Sequence, residues 1–375
     1  NTSFRVASTN SQSEAAGYVH VDTNTGNFFL VWRSTTAQAI FAKPDTAYLG
    51  KFAANGTLIA STTLVGDQDS GSPMIGAYGH IWLQEKHATL RQLTKFDENL
   101  NRIFSRVISS DDVGNITAAV ADGGNIFLAC DGGQNATGAA KVFKYDQSLN
   151  ELARATYNAI GSVHHNAHSA VADGAGNIFV SISTGESGLD LARHVVKYDS
   201  SLVQLTSRSV SSLFLYNAPS LGYGDGTLYV AGESNPAQSQ EVYLRRFDTS
   251  LGYSGFTATI TVTGATPQFG LTTDPFGNAV LALTSSTADG GDFLVFKFDQ
   301  DLVQLSSGQF DGGYGAPDSA LGAAAPTSTD VYLGGAYYNG SNYEGLVLKR
   351  SLPLGVGGGD WVAMLENAYY SVISP

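Results

Sequence analysis

The segment Lys144-Tyr-Asp-Gln-Ser-Leu149 recurs along this chain and decides its fold. Close copies are KFDENL (95–100), KYDSSL (197–202), RFDTSL (246–251) and KFDQDL (297–302), and degenerate forms are KFAANGTL (51–58) and KRSLPL (349–354). The basic residues that open these segments are separated by 44, 49, 53, 49, 51 and 52 positions. A unit of about fifty residues cannot bury its apolar face alone, so the sequence predicts seven units that stack on one another.

Each repeat divides into four short segments with the pattern of an antiparallel sheet. In the fourth repeat the sequence predicts strands at Ser169–Ala172, Ile178–Ser183, His194–Tyr198 and Val203–Val210. Asp, Gly and Asn fill the turns between them, because these residues tolerate left-handed backbone. The second segments, such as NIFVSI, are apolar on both faces, which is typical of a strand between neighbouring sheets. The repeated basic residue is expected to cover apolar surface with its stem and to reach solvent or an acidic neighbour.

Seven radially repeated units of this kind predict an all-β fold, a seven-bladed β-propeller of four-stranded antiparallel blades. The chain resembles the seven-bladed β-propeller repeat family of secreted and surface proteins in bacteria and archaea. That resemblance rests on the D-x-x-G-N-aromatic-apolar element and the later K-aromatic-D-x-x-L element, over residues 13–352. Blade two departs from the pattern at Tyr78-Gly-His80, and blade seven lacks the Asp.

The seventh repeat lacks a fourth strand, and two segments compete to supply it: FRVAS at 4–8 and the apolar segment 360–374. We therefore expect an N-terminal strand in residues 1–12 that closes a blade or is donated, a propeller over 13–354, and a Gly-rich linker with a C-terminal strand extension at 355–375. A surplus strand is suited to pairing with the sheet edge of another copy. The predicted assembly residues are Phe4, Val6, Trp361, Val362, Leu365, Tyr369, Tyr370 and Val372.

Composition limits the partners and suggests a compartment. The net charge of −13 and pI near 4.8 disfavour nucleic acid and anionic membranes as partners, and no apolar stretch is long enough to span a bilayer. The first residue is Asn rather than Met, so we expect an exported chain with a processed N-terminus, extracellular or at the cell surface. Cys130 is the single cysteine, which excludes an internal disulfide. The predicted glycosylation sites are Asn1, Asn55, Asn115, Asn135 and Asn339.

The densest group of titratable side chains is His164, His165 and His168, at the entrance to the first strand of blade four. First strands line the central channel of a propeller, so these histidines are candidate ligand-binding residues, with a carboxylate from another blade as a possible co-ligand of a metal. In an extended strand His165 projects to one side and the other two to the opposite side, so at most two converge. Hydrogen bonding to nearby backbone is the alternative role. The metal is left unspecified.

Motifs for a catalytic nucleophile, a phosphate-binding loop or a zinc helix do not occur, so no catalytic residue and no cofactor is predicted. The first functional hypothesis is a non-enzymatic extracellular structural protein that self-associates head to tail, as a filament or cell-surface subunit using a terminal strand. The alternative is a secreted propeller enzyme or carbohydrate-binding protein with a site at the central channel. Other copies of the chain, and glycans, are the expected partners.

Overall fold

The structure is a computed structural model of the chain. It describes residues 2–5, 13–35, 46–64, 74–87, 90–108, 113–132, 138–158, 164–186, 189–210, 219–233, 241–262, 269–287, 290–310, 319–338, 343–352 and 370–372. Within these ranges, no helix has the length and apolar character needed to cross a membrane.

The described secondary structure consists of short strands. In chain order they are β1 (Thr2–Arg5), β2 (Ser13–Val21), β3 (Phe28–Thr35), β4 (Thr46–Phe52), β5 (Leu58–Leu64), β6 (Met74–Ala77), β7 (His80–His87), β8 (Leu90–Phe96), β9 (Arg102–Ile108), β10 (Val113–Asp122), β11 (Asn125–Gly132), β12 (Ala140–Tyr145), β13 (Glu151–Tyr157), β14 (His164–Ala172), β15 (Ile178–Glu186), β16 (Leu189–Tyr198), β17 (Gln204–Ser209), β18 (Ser220–Gly224), β19 (Thr227–Glu233), β20 (Glu241–Phe247), β21 (Tyr253–Thr261), β22 (Phe269–Thr273), β23 (Ala279–Thr287), β24 (Gly290–Phe298), β25 (Gln304–Phe310), β26 (Ser319–Ala324), β27 (Asp330–Tyr338), β28 (Tyr343–Ser351) and β29 (Tyr370–Val372).

These strands form seven sheets, antiparallel except for one pair in blade seven, which confirms the predicted seven-bladed propeller. Blades one to six are the successive four-strand groups β2–β5, β6–β9, β10–β13, β14–β17, β18–β21 and β22–β25. Blade seven has the order β26-β27-β28-β1-β29. The first strands of neighbouring blades contact one another around the ring, including β2 with β26, so the ring is closed.

The second strand of each blade forms the core between sheets. In blade four, Ile178, Phe179, Val180 and Ile182 of β15 are fully buried, because side chains on both faces pack against a neighbouring blade. The strand is longer than predicted and so is its partner β14, which begins at His164 and pairs as far as Gly185. The three histidines therefore lie within the first strand rather than at its entrance.

In blades one to six the repeated basic residue contacts the following blade. Lys95 stacks its ammonium over the ring of Trp82, at 4.8 Å, and donates a hydrogen bond of 3.1 Å to the carbonyl of Gln147. The same bond joins Lys51 to Glu98, Lys144 to Ser200 and Lys197 to Thr249. In these four blades the acceptor is a turn carbonyl of the following blade, whereas the sequence suggested solvent or an acidic neighbour. In the other three blades the basic residue does have an acidic neighbour, since Arg246 pairs with Asp301, Lys297 with Asp274 and Lys349 with Asp330.

Blade six replaces the aromatic residue under the lysine with Val280, and its lysine has acquired a different partner. Lys297 forms an ion pair of 2.7 Å with Asp274, and both side chains are at most 1% exposed. It also donates to the carbonyl of Ser328 in blade seven, so the link to the next blade is kept. The carboxylate compensates a charge that would otherwise be buried without a partner.

A leucine in left-handed backbone closes each K-aromatic-D-x-x-L turn. The φ angles of Leu100, Leu149, Leu202, Leu251 and Leu302 lie between 60° and 67°. All five side chains are buried between blades. The Asp of each turn accepts backbone N–H groups, as Asp146 does from Ser148 and Asn150. The repeated Asp therefore acts in turn formation, and the burial of the leucine offsets a conformation that disfavours an L-residue by about 1–2 kcal/mol.

Both termini add strands to blade seven. Strand β1 pairs antiparallel with β28, with Thr2 opposite Lys349, and so fills the fourth position of the blade. Strand β29 then pairs parallel with β1 over three residues, with Ser3 opposite Tyr370. Blade seven is thus the one five-stranded sheet among the described strands. The domain limits at residues 12 and 354 stay predictions.

Candidate functional site

His168 occupies an irregular position in the channel-lining strand of blade four. The pairing of β14 with β15 shifts between Ala167 and Ser169, so His168 is the extra residue of a bulge. Its Nε2 lies 2.6 Å from the Ser183 hydroxyl, to which it is hydrogen-bonded. Burial, and secondarily the positive charge of Arg193, lower the pKa of His168 to about 4.

The histidine–serine pair does not have the electrostatics of a nucleophile and its base. A general base works best with a pKa near the operating pH, whereas the pKa of His168 is lowered well below neutrality. The nearby Arg193 would further oppose an imidazolium formed when the serine lost its proton. At neutral pH the pair instead satisfies two polar groups at the blade four and five interface, where Ser181 donates to the carbonyl of Pro219.

His165 faces the opposite side of β14, toward blade three. Its backbone N–H and its Nδ1 both donate to the carbonyl of Gly138, at 2.9 and 3.1 Å. Its ring meets that of Tyr157 nearly edge-on, with centroids 6.1 Å apart. This is the backbone hydrogen bonding that the sequence left open as the alternative role. His164 lies in β14, and its side chain is outside the described residues.

The structure does not bring the predicted histidine ligands together. His165 and His168 have different partners, Gly138 of blade three for the first and Ser183 of blade four itself for the second. In the described part of the chain, no three His, Cys, Asp or Glu side chains are grouped so that they could hold a metal ion. A ligand-binding role for His164, His165 and His168 therefore stays a prediction.

Asp131 is a half-buried acid that the sequence analysis missed. It lies near the end of β11, in blade three, and accepts a hydrogen bond from the backbone amide of Ala167 in blade four. Its Oδ1 is buried without a hydrogen-bond partner. Burial raises the pKa of Asp131 to about 7, against the opposing effect of the amide. Its position directly after the apolar run NIFLAC was the available signal.

Two other buried groups have structural roles. The Glu85 carboxylate is fully buried and is bound by both terminal nitrogens of Arg102 and by the Thr94 hydroxyl. This network links three strands of blade two and leaves Glu85 no role as a free acid. Cys130 is completely buried, and burial raises the pKa of its thiol, so it is an inert thiol.

Two of the five sequons fall on described residues. Asn55 lies exposed in the turn before β5, where its side-chain oxygen accepts the N–H of Thr57. Asn115 is exposed in β10 and accepts a hydrogen bond of 2.9 Å from Arg91. Both asparagines are therefore accessible. Asn1, Asn135 and Asn339 lie outside the described residues.

The predicted assembly residues are only partly described. Phe4 lies in β1, and Tyr370 and Val372 lie in β29, so these three belong to the additional strand pairs of blade seven. Val6, Trp361, Val362, Leu365 and Tyr369 lie outside the described residues.

The comparisons with known proteins show likeness of fold alone. The Dos1 propeller has a TM-score of 0.54 at 10% identity, over 96% of this chain and 95% of that one. The polysaccharide lyase Uly1 has a TM-score of 0.52 at 10% identity, over 90% of both chains. The AfRom2 CNH domain has a TM-score of 0.51 at 8% identity, over 92% of this chain and 98% of that one. No protein-family model matches the sequence, and no curated protein is significantly similar to it.

Proposed function

We propose that this protein is a non-enzymatic structural subunit that associates head to tail, with the C-terminal segment of one copy pairing with a sheet edge of the next. A contact of this kind is heterologous, and it builds a filament when the rotation between copies does not close.

The observation that carries the proposal is the fifth strand of blade seven. Strand β1 already supplies the fourth strand of that blade, so the propeller needs nothing from the C-terminal segment. Among the described residues, strand β29 pairs with β1 at three positions. The C-terminal segment is therefore not needed to close the propeller ring. A strand pairing of three residues is readily exchanged for a longer pairing with another copy.

The apolar content of the C-terminal segment favours its binding to another copy of the chain. Residues 360–374 contain eight large apolar side chains: Trp361, Val362, Met364, Leu365, Tyr369, Tyr370, Val372 and Ile373. Burying each such side chain stabilises a complex by roughly 1.5–3 kcal/mol before the loss of chain entropy is counted. The run Gly357-Gly358-Gly359 precedes the segment and gives it freedom to reach another copy.

An extracellular or surface location, with glycans on the sequons, belongs to the same proposal. Its supports are the resemblance to secreted and surface propellers and the exposure of Asn55 and Asn115. A channel site for carbohydrate or catalysis is not preferred, because the described histidines face apart and the pKa of His168 lies far below neutrality.

Electron microscopy of the purified protein tests the proposal. We expect fibres from the full chain and dispersed discs from a chain truncated after Leu354. A second variant keeps the segment but holds it in place: Ser3→Cys with Tyr370→Cys places two thiols at paired positions of β1 and β29. Since Cys130 is buried, it does not interfere. Oxidation should abolish the fibres and reduction should restore them.

The controls separate the possible results. Single cysteine variants should assemble with or without oxidant. Dispersed discs from the full chain at all concentrations would overturn the proposal. Fibres that survive truncation would also contradict it, because another surface would then be responsible for assembly.

A further inference from the structure

The outermost strand of blade two carries apolar side chains at positions where equivalent strands are small or polar. Phe104 lies opposite the repeated Lys95, and Val107 lies opposite Gln92. At the position of Phe104 the other outer strands have Thr2, Ala60, Ala153, Thr206 and Ser306, with Phe256 as the one other large residue. At the position of Val107 they have Arg5, Thr63, Thr156, Ser209, Thr259 and Gln309.

These side chains are exposed and lie on both faces of the strand. Ile103, Phe104 and Val107 are 50%, 49% and 49% exposed. By strand alternation Phe104 and Val107, three residues apart, point to opposite faces of the sheet. Ile103 is the extra residue at a shift in the pairing of β8 with β9, so alternation does not assign its face. A partner that packed on one face would cover only part of this surface. A strand added at the free edge of β9 would contact side chains on both faces, since cross-strand neighbours lie beside each of them.

The charge of blade two is opposite to that of the chain. Residues 80–108 contain five Lys and Arg and three Asp and Glu, which gives this part of blade two a net charge of +2. The whole chain has a net charge of −13, so the other residues together have −15. Arg106, between the apolar side chains of β9, is exposed. The C-terminal segment 360–374 contains Asp360 and Glu366 and no basic residue. The β9 edge and this segment are therefore complementary in charge as well as apolar character.

We infer that the free edge of β9 in blade two is the acceptor for the C-terminal segment of a second copy. This inference rests on the proposed function and names the site at which it operates. The incoming segment adds a fifth strand to blade two, forms backbone hydrogen bonds with the unpaired edge of β9, and covers Phe104 and Val107. A pairing between two β9 edges is disfavoured, because blade two has a net positive charge in both copies.

The test compares two full-length double variants. Phe104→Ser with Val107→Thr removes the apolar side chains that distinguish β9. Ile59→Ser with Leu152→Ser is the matched control, since these residues lie on the outer strands of blades one and three and are 52% and 53% exposed. Thermal unfolding and circular dichroism should be similar for both. Sedimentation assays over a range of concentrations then give the concentration for half-maximal assembly.

We expect the blade-two variant to raise that concentration roughly 30- to 100-fold, equivalent to about 2–3 kcal/mol at 1.4 kcal/mol per tenfold change. The control variant should stay within about threefold of the wild type, as expected for side chains outside the contact. If the wild type assembles and the blade-two variant does so equally well, the acceptor lies elsewhere and this inference is wrong. If the wild type does not assemble, the proposed function itself fails.

A mixing experiment tests donor and acceptor separately with full chains. The oxidised Ser3→Cys/Tyr370→Cys copy has a free β9 edge and a restrained segment, so it can only accept. The Phe104→Ser/Val107→Thr copy has a free segment and a weakened edge, so it can only donate. An equimolar mixture should give dimers by light scattering while each copy alone stays monomeric. Monomers in the mixture, beside an assembling wild type, would refute the assignment of β9.

Discussion

Leu149→Gly should destabilise the protein less than Leu149→Ala, which reverses the order found at an ordinary buried position. Leu149 is fully buried in the core between blades two and three, and its φ is 62°. The matched control is Leu128 in β11, which is also fully buried in the same cluster but has ordinary strand backbone. The two leucines thus share their burial and differ in φ.

The magnitude follows from two opposing effects. Truncating either leucine to alanine loses buried contacts and costs about 2–5 kcal/mol. Glycine in place of alanine then costs a further 0.5–1 kcal/mol, roughly, through the greater entropy of the unfolded chain. At Leu149 glycine also relieves left-handed strain of about 1–2 kcal/mol, which alanine retains. We therefore expect glycine to be more stable than alanine by about 0.5–1 kcal/mol at Leu149 and less stable by a similar amount at Leu128.

Urea denaturation followed by tryptophan fluorescence measures the four variants against the wild type. The comparison uses the difference between glycine and alanine at each site, so the large loss of burial cancels. If glycine is the less stable substitution at both sites, left-handed strain does not contribute at the repeated leucine, and the account of the turn is wrong.

Three further predictions concern single groups. Lys144→Met should lower the free energy of unfolding by about 1–2 kcal/mol, because it removes the charged hydrogen bond of 2.7 Å to Ser200 while keeping the stem; an unchanged denaturation midpoint would refute the inter-blade bond. The pKa of His168 is lowered, so its contribution to the free energy of unfolding is fully present above pH 6.5 and is lost as the pH falls through about 4. His168→Gln should therefore reduce the change in the free energy of unfolding across this pH range by about 3 kcal/mol, measured by denaturation at a series of pH values. The pKa of Asp131 is raised, so its contribution to the free energy of unfolding is fully present below pH 3.8 and is lost as the pH rises through about 7. Asp131→Asn should reduce the fall in the free energy of unfolding across this pH range by roughly 3–4 kcal/mol. An unaltered pH dependence would show that the carboxyl is solvated.

The strands and turns were predictable because their signals are local and recur. The turn Asp and the apolar second strand lie in the same repeat of about fifty residues, and each copy reinforces the assignment. The left-handed backbone of the repeated leucine was not predicted. The acceptor of the repeated lysine was not predictable in the same way. Lys197 donates to Thr249, which lies in the next repeat and offers only a backbone carbonyl, a group that every residue possesses.

The candidate site was harder to predict for a related reason. Strand alternation correctly separates His165 from His168, but it says nothing about the neighbouring blades that each histidine meets. The pKa of Asp131 is raised by burial, against the effect of a hydrogen bond from the amide of Ala167 in another repeat. A single sequence contains the order of the blades but not the depth at which each side chain meets the adjacent sheet.

Repetition also indicates where function should be sought. The basic residue recurs in all seven blades, and the turn Asp and the left-handed leucine recur in five of them, so these residues report on stability rather than on activity. Phe104 and Val107 have no such explanation, since outer strands β5, β13, β17 and β25 complete their blades without a large apolar side chain at either position. The segment 360–374 is likewise unnecessary for closure, because β1 supplies the fourth strand of blade seven. Two features that the fold does not need, complementary in apolar character and charge, are best explained by a contact with each other in different copies.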